Sequence, residues 1–284
     1  MNDDFPRPAD RDTEAAAQRR IARWTGRAAR YDAARPAAPT VLPALLSQLA
    51  GARPAQVVDL GAGTGLSTLV WADHAERVTG IEPNDDMRVQ AEARLAASGA
   101  HNIRFIAATA NQTGLPDASA DIVTASQAFH WLEPVSTLAE ITRILRPGGV
   151  FAAYDYNWPP TITPETERIF RNFEDRIQEL SEKAGERPEP PGWEKAGHLE
   201  RMRQSGHFRL VKEVLIHNIE TGDADRFYGL LFSNIGPQKL ASESEYADAM
   251  DLPTLRREID AAFASAGPDG LRWYISYHVR IGVK

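Results

Sequence analysis

Cysteine is absent from the 284 residues of the chain. Its absence excludes disulfide bonds, thiolate metal ligands and cysteine nucleophiles. Long hydrophobic runs are also missing, since no stretch approaches the ~20 apolar residues of a membrane-spanning helix. The formal net charge is -7, which does not favour a nucleic-acid partner. We therefore expect a cytoplasmic protein, monomeric or homodimeric, with neither a membrane nor a nucleic acid as its partner.

A glycine-rich turn follows directly on an apolar run at residues 57–65, Val-Val-Asp-Leu-Gly-Ala-Gly-Thr-Gly. A backbone can pass very close to a ligand at glycines, because no Cβ stands in the way, and this turn has Gly61, Gly63 and Gly65. A second apolar run ends at an acid, Glu82. This layout is typical of a nucleoside-binding βαβ unit in which the acid binds both ribose hydroxyls. It predicts an adenosine-like ligand, and a tight turn without a ligand is the alternative.

The glycine spacing and the nearby charges favour S-adenosylmethionine (SAM) over a nicotinamide dinucleotide. A dinucleotide fingerprint reads Gly-x-Gly-x-x-Gly and places a pyrophosphate on a helix N-terminus. Here Gly65 comes one residue earlier, and no lysine or arginine lies near the turn to bind a phosphate. Asp59 would repel a phosphate and suits a ligand with an ammonium group, in an indirect role. The alternative interpretation is that Asp59 only caps a local turn.

Alternating strand-like and helix-like segments indicate an α/β fold. Continuous apolar runs are typical of buried parallel strands, and short links between them imply a doubly wound, mostly parallel sheet with helices on both faces. The sequence predicts strands at residues 56–60, 77–82, 103–107, 120–126 and 150–154, and helices at residues 39–49, 66–74, 85–98 and 134–145.

Two later segments predict an antiparallel pair of strands that brings the sheet to seven. Residues 208–219 have the pattern of a sixth strand. Residues 271–283 alternate between apolar and mostly polar side chains, which is typical of a half-exposed antiparallel strand. Helices are expected near residues 225–235 and 254–263.

Four regions are expected along the chain. Residues 1–50 form an N-terminal helical lid region with a helix at 13–31, and residues 51–156 form the ligand-binding core. Residues 157–206 are a helical cap insertion over the active site, in which Thr163 and Pro164 begin a helix. Residues 207–284 complete the same sheet. The alternative for the insertion is an ordinary surface elaboration.

Between about Tyr31 and Tyr154 the chain resembles the class I SAM-dependent methyltransferases. Besides the glycine turn, the similar segments are Glu82-Pro83-Asn84 with Met87, Thr109-Ala110, Ser126-Gln127-Ala128-Phe129-His130-Trp131 and Leu145-Arg146-Pro147-Gly148-Gly149. The Phe-His-Trp segment and the upstream Tyr31-Asp32 and Arg35-Pro36 are similar to a small-molecule branch, the methyltransferase type 11 and trans-aconitate methyltransferase-like proteins. The resemblance implies a Rossmann-like methyltransferase sheet and an enzyme that methylates a small molecule.

The resemblance also implies which residues hold SAM. Glu82 binds the ribose, Met87 flanks the adenine, and Tyr31 and Arg35 face the methionine carboxylate or the substrate, unless they only fix the N-terminal helix. The expected cofactor contacts are Tyr31, Arg35, Asp59, Gly61, Ala62, Gly63, Gly65, Glu82, Pro83, Met87, Thr109, Ala110 and Gln127. Asn111 stands where many relatives carry an acid, which puts a side-chain contact with adenine there in doubt.

His130 is the candidate general base, because it follows the fourth strand, where ligands bind in parallel sheets, and because histidine titrates near neutrality. Tyr154 is the next catalytic candidate, together with Asp155. The candidate substrate contacts are His130, Trp131 and Trp158, for which packing in the core or cap is the alternative. The histidines lack metal-ligand spacing, so no metal is expected.

The favoured function is methyl transfer to an oxygen of a small molecule, either a carboxylate or a hydroxyl. Carbon or nitrogen acceptors, as in quinone or natural-product biosynthesis, are the next alternative. A nicotinamide-dependent oxidoreductase and a non-catalytic SAM-binding protein are two others, and the glycine spacing argues against the first of them.

Overall fold

A seven-stranded sheet forms the centre of the protein. The computed structural model describes residues 14–26, 34–185, 192–233, 240–241 and 244–284. The strands are β1 (Gln56–Leu60), β2 (Arg77–Ile81), β3 (Ile103–Ile106), β4 (Ala120–Ser126), β5 (Leu145–Tyr156), β6 (Leu210–Gly222) and β7 (Leu271–Val283). The helices are α1 (Glu14–Ala22), α2 (Leu42–Ala50), α3 (Asp85–Ser98), α4 (Pro134–Ile144), α5 (Pro164–Lys183), α6 (His198–Gln204), α7 (Ala224–Leu231), α8 (Ser244–Ala249) and α9 (Leu252–Ala262).

The strand order is β3-β2-β1-β4-β5-β7-β6. Strands β1 to β5 are parallel, whereas β7 lies between β5 and β6 and pairs antiparallel with both. The predicted doubly wound sheet with an antiparallel last pair is therefore confirmed. The strand order reverses between β1 and β4, and ligands bind at such a point in open α/β sheets.

The apolar runs of the central strands reflect burial on both faces of the sheet. Successive side chains of a strand point to opposite faces. Val57 and Ile122 accordingly belong to one hydrophobic core, and Val58 and Val123 belong to the other. All four side chains are fully buried. Neither face can therefore carry the polar alternation that marks a half-exposed strand.

The first crossover differs from its prediction. Residues 66–74 were expected to form a helix, but they form turns and a single 3₁₀ turn, Leu69–Trp71. Here the side chains of Ser67 and Thr68 donate hydrogen bonds to Asp59, at 2.6 and 2.8 Å. These two bonds tie the crossover to a buried carboxylate, so a tertiary contact and not helix periodicity sets the conformation of this segment.

Strand β5 is longer than predicted. It begins at Leu145, immediately after α4, and includes the Pro-Gly-Gly segment that lies between the predicted helix at 134–145 and the predicted strand at 150–154. The chain end continues the pairing there, because Gly148 donates to the carbonyl of Lys284 and Lys284 donates to the carbonyl of Gly149. The other predicted strands lie within three residues of the observed bounds, and β7 matches its prediction residue for residue.

The N-terminal helix is seen in part. Helix α1 covers Glu14–Ala22, whereas Thr13 and residues 27–31 of the predicted helix lie outside the described residues, and Tyr31 is one of them. Helix α2 begins three residues after its predicted start and ends at Ala50, where Gly51 caps it with a φ of 84°. In the described ranges, no helix is both long and apolar enough to span a membrane.

The predicted insertion has two parts with different neighbours. Thr163 caps α5 as predicted, since its hydroxyl accepts a hydrogen bond from the backbone of Thr166. Helix α5 packs on the C-terminal helices, with Phe173 and Phe232 in ring contact at 5.2 Å. Residues after the gap at 186–191 instead lie against the end of β4, where the Trp193 amide donates to the carbonyl of His130 at 2.7 Å. The four-region division and the cap remain predictions.

Candidate active site

A cavity of about 1100 Å³ lies over the carboxyl ends of β1, β2 and β4. Its walls come from the glycine turn, the loops after β2, β3 and β4, the first half of α4, and α1. The predicted cofactor contacts among its lining residues are Gly61, Gly63, Glu82, Pro83, Met87, Thr109, Ala110 and Gln127. The volume equals that of the largest small-molecule pockets, on the order of 1000 Å³, and leaves room for two ligands side by side.

The three glycines of the turn serve different purposes. All have positive φ, 65° at Gly61, 54° at Gly63 and 83° at Gly65. A Cβ on Gly61 would lie 2.7 Å from the Cβ of Ala128, and one on Gly65 would lie 3.0 Å from the ring of Phe105. On Gly63 it would find only a carbonyl oxygen at 4.0 Å. Gly61 and Gly65 are therefore needed for packing, whereas Gly63 keeps the cavity floor free for a ligand.

Glu82 lies at the edge of the cavity with its carboxylate held in place. One carboxylate oxygen accepts from the amide of Gly63 and the other from the amide of Asn84, both at 2.9 Å. Each oxygen keeps a second lone pair, so two further donors can bind. Burial raises the pKa of Glu82, against the lowering effect of these two amides. The arrangement suits the two hydroxyls of a ribose.

Asp59 lies beneath the glycine turn, not in the cavity. It is fully buried and accepts hydrogen bonds from the hydroxyls of Ser67, Thr68 and Thr124 at 2.6 to 2.8 Å. Burial raises the pKa of Asp59 despite these three donors. Its predicted role near the ligand's ammonium group is thus at most indirect, because the side chain holds the turn against β4.

A second, smaller cavity of about 60 Å³ adjoins the glycine turn. Arg35 and Ala62 line it, and Gly61, Gly63 and Gln127 line both cavities. Arg35 donates to the hydroxyl of Tyr156 at 2.8 Å, which places a guanidinium beside the turn. This location fits the predicted contact of Arg35 with a carboxylate.

His130 and Tyr154 do not line either cavity. The His130 side chain is 14% exposed, and its Nδ1 lies 3.5 Å from Oδ1 of Asp155. Burial lowers the pKa of His130, against the opposing effect of Asp155. Tyr154 is buried in the core against Tyr277, and burial raises the pKa of its hydroxyl. Neither residue is among those that line the two cavities, and their roles as general bases remain predictions.

The two candidate substrate tryptophans differ in position. Trp131 lines the large cavity, as predicted for a substrate contact. Trp158 does not, since it packs on Tyr156 at 5.7 Å and on Phe170 at 5.8 Å, with Arg35 above its ring at 5.1 Å. The alternative of a packing residue therefore describes Trp158 better.

Helix α1 forms part of the cavity wall, and sequence reasoning did not assign its individual residues to the site. The α1 region supplies Ala17, Gln18, Arg20, Ile21 and Trp24 to the lining. The guanidinium of Arg23 stacks on Trp131 at 4.1 Å, and the side-chain amide of Asn84 donates to the carbonyl of Ile21 at 3.0 Å. The α1 region is thus part of the cavity wall, and its role as a lid remains a prediction.

A buried ion-pair cluster lies behind the cavity wall, at the ends of β4 and β5. Within the described part of the chain, ligand atoms of His130, Asp155 and His198 lie within 4.8 Å of one another, as a metal site would require. The carboxylate of Asp155 is already paired with Lys195 Nζ at 3.0 Å and with Arg280 Nη1 at 2.8 Å. A divalent cation would be repelled by these two charges, and we propose no metal there.

The known proteins that the chain is similar to are methyltransferases. Residues 58–153 match the model of the methyltransferase domain family. An uncharacterized methyltransferase of Mycobacterium tuberculosis is 34% identical over 119 residues, which are 42% of this chain and 46% of that protein. A malonyl-[acyl-carrier protein] O-methyltransferase of Marinomonas is 30% identical over 150 residues, 51% of this chain and 56% of that protein.

A solved structure of a candidate type II methyltransferase from Anaeromyxobacter dehalogenans is similar over nearly the whole length. It is 27% identical with a TM-score of 0.66, and the match covers 88% of this chain and 97% of that one. Residues 58–153 are therefore similar to a methyltransferase domain, and the seven-stranded sheet has the Rossmann-like methyltransferase fold. The matched segments span only about half the length of the two sequence relatives.

Proposed function

We propose that the protein is a SAM-dependent methyltransferase that methylates an oxygen of a small molecule, with a carboxylate as the favoured acceptor. The observation that carries the proposal is the pairing of Glu82 with Gly63 at one cavity. A carboxylate with two spare lone pairs faces the ligand space, and the glycine beside it leaves that space open. The methyltransferase domain match supports the same cofactor.

The residues present fit SAM along its length. Pro83, Met87, Thr109 and Ala110 would enclose the adenine, and Glu82 would bind the ribose. The glycine turn would lie along the methionine part, with Arg35 positioned to pair with its carboxylate. When bound, SAM supplies a sulfonium methyl group that is already activated. The protein must then orient an acceptor and exclude water, tasks for which α1 and Trp131 are placed.

A carboxylate acceptor is favoured because it needs no general base. Among the described residues that line the large cavity, the acids are Glu82 and Glu133. Both already accept hydrogen bonds from backbone amides, Glu133 from Val135 and Ser136 at 2.9 and 2.6 Å. A phenol, amine or carbon acid would have to lose a proton to a general base such as one of these acids. The O-methyltransferase name of one relative also supports oxygen.

The other functions considered explain less. A nicotinamide-dependent oxidoreductase would need a pyrophosphate contact, which the glycine spacing does not provide. A non-catalytic SAM-binding protein would have no use for the cavity volume beyond that needed for the cofactor. Methylation of carbon or nitrogen remains the alternative, and the cytoplasmic location, the oligomeric state and the small-molecule partner stay predictions.

A screen of acceptor classes tests the proposal. Purified protein is incubated with SAM and pools of carboxylic acids, phenols and primary amines, and formation of S-adenosylhomocysteine is measured. We expect turnover with carboxylic acids, and His130→Ala to retain at least about half of the wild-type rate, because the ring lies outside the cavity. Turnover confined to amines or phenols, and lost in His130→Ala, would contradict both the acceptor and the base-free reaction.

A further inference from the structure

Gln127 occupies the junction of the two cavities, at the end of β4. It lines both of them. Its φ is 49°, in the left-handed region that a residue with a side chain rarely adopts. The backbone N–H of Gln127 donates a hydrogen bond to the carbonyl of Tyr154 at 2.9 Å, and this bond holds the backbone in that conformation. A ligand that runs from the large cavity to the small one must pass this side chain. Backbone strain at such a place is a reason to look for a function.

The orientation of the Gln127 amide group is set by Lys195. The ammonium of Lys195 donates to Oε1 of Gln127 at 2.8 Å. Because an ammonium group only donates, this contact identifies the oxygen and turns Nε2 the other way. Nε2 is buried and has no hydrogen-bond acceptor among the residues that the structure describes. A buried N–H without an acceptor is costly, so an oxygen of a bound ligand is its natural partner.

The Lys195 side chain is held in place by an ion pair with Asp155. Its ammonium lies 3.0 Å from Oδ1 of Asp155, and Arg280 donates to Oδ2 of Asp155 at 2.8 Å. Burial alone would raise the pKa of Asp155, but His130 and Lys195 lower it below its ordinary value, which keeps the carboxylate charged. Lys195 follows Trp193, whose amide is bonded to the loop after β4. The insertion therefore reaches Gln127 through one fixed side chain.

We propose that Lys195 is a positioning residue that aims Nε2 of Gln127 at a carboxylate oxygen on the amino-acid end of the ligand. This inference rests on the proposed function, because SAM and its product S-adenosylhomocysteine both carry such a carboxylate. Arg35 lines the same small cavity and supplies the balancing charge. Gln127 thus adds a neutral donor, and through Lys195 the insertion takes part in cofactor binding.

Two ligands, one with and one without the amino-acid group, distinguish the proposed positioning role of Lys195 from a purely structural role. S-adenosylhomocysteine carries the amino-acid group, and 5′-methylthioadenosine lacks it. Both are titrated by calorimetry into wild type, Gln127→Leu, Lys195→Met, Lys195→Arg and the double variant Gln127→Leu/Lys195→Met. Lys212→Met, at an exposed lysine of β6, is the matched control. Thermal melts show that each variant is folded, which we expect because the Lys195 side chain is 41% exposed.

We expect Gln127→Leu to weaken S-adenosylhomocysteine binding by about tenfold or more, the effect of one hydrogen bond to a charged group. Lys195→Met should weaken it by about fivefold and Lys195→Arg by less, since arginine keeps a charged donor. Binding of 5′-methylthioadenosine should change by less than about twofold in all of them. The double variant should be no worse than Gln127→Leu, because Lys195 acts through Gln127.

Three results would overturn the inference. These are an unchanged affinity for S-adenosylhomocysteine, an equal loss for both ligands in folded variants, and losses that add in the double variant. Failure of the proposed function would give a different result, because the wild-type protein would then bind neither S-adenosylhomocysteine nor 5′-methylthioadenosine. Binding of both ligands by wild type with no selective loss in the variants would leave the methyltransferase standing and remove the role of Lys195.

Discussion

Glu82→Ala is expected to weaken SAM binding by at least about 100-fold, the largest effect on the cofactor that we predict for one side chain. Two ribose hydroxyls would each lose a hydrogen bond to a carboxylate, and such bonds contribute about 1.5–3 kcal/mol each. The change also leaves the amides of Gly63 and Asn84 without their acceptor. Calorimetric titration of SAM measures the loss, with Glu92→Ala, at an exposed glutamate of α3, as the control.

The isosteric Glu82→Gln variant and pH refine this prediction. Because burial raises the pKa of Glu82, its carboxyl takes up a proton at a higher pH than an ordinary glutamate. Protonation removes acceptor capacity, so SAM affinity should fall as the pH is lowered from neutrality in wild type but much less in Glu82→Gln. An affinity that is independent of Glu82 and of pH would show that this carboxylate does not bind the ligand.

Substitution of Gly61 should mainly lower the stability of the protein, whereas substitution of Gly63 in the same turn should mainly lower its affinity for SAM. Gly61→Ala places a Cβ 2.7 Å from that of Ala128 at a φ of 65°, so it should lower the free energy of unfolding by about 2–4 kcal/mol. A loss of this size lowers the Tm by roughly 5–15 °C. Gly63→Ala meets no atom closer than 4.0 Å and should cost only about 1 kcal/mol for its backbone. Its methyl group nevertheless enters the ligand space, so SAM affinity should fall at least about tenfold.

Gly51→Ala is the control for the backbone cost, because Gly51 has a φ of 84° with nothing within 4 Å and lies away from the cavity. Thermal melts and SAM titrations of the three variants distinguish packing from ligand contact. A Gly63→Ala protein that binds SAM as wild type does would mean that the turn is only a tight turn. That was the alternative interpretation of these glycines from the sequence.

The sheet and the cofactor end of the site could be predicted because their signals are local in sequence. Buried parallel strands require continuous apolar runs, and an apolar run ending in Asp59 before three glycines fixes the position of the turn. Glu82 ends the next strand, so the sheet itself brings it beside Gly63. These relations depend on strand order alone, which the connection rules restrict strongly.

The acceptor side could not be predicted in the same way, because its contacts join distant segments. The position of His130 after β4 suggested a base, but its neighbours include Trp193, whose amide donates to the His130 carbonyl, and the ring of His198, both far along the chain. Lys195 has no local pattern that marks it as a partner of Gln127 or Asp155. Similarly, the predicted helix at 66–74 is absent because Ser67 and Thr68 bond a buried acid, a tertiary contact that no periodicity shows.

The measurement that tests the central claim most directly is calorimetric titration of SAM and of NADH into the wild-type protein under identical conditions. The account predicts saturable SAM binding in the micromolar range, about 8 kcal/mol, and no binding of NADH. Binding of NADH without SAM would contradict the assignment of the glycine turn, Glu82 and the cavity to a methyl-donor cofactor, and with it the proposed methyltransferase activity.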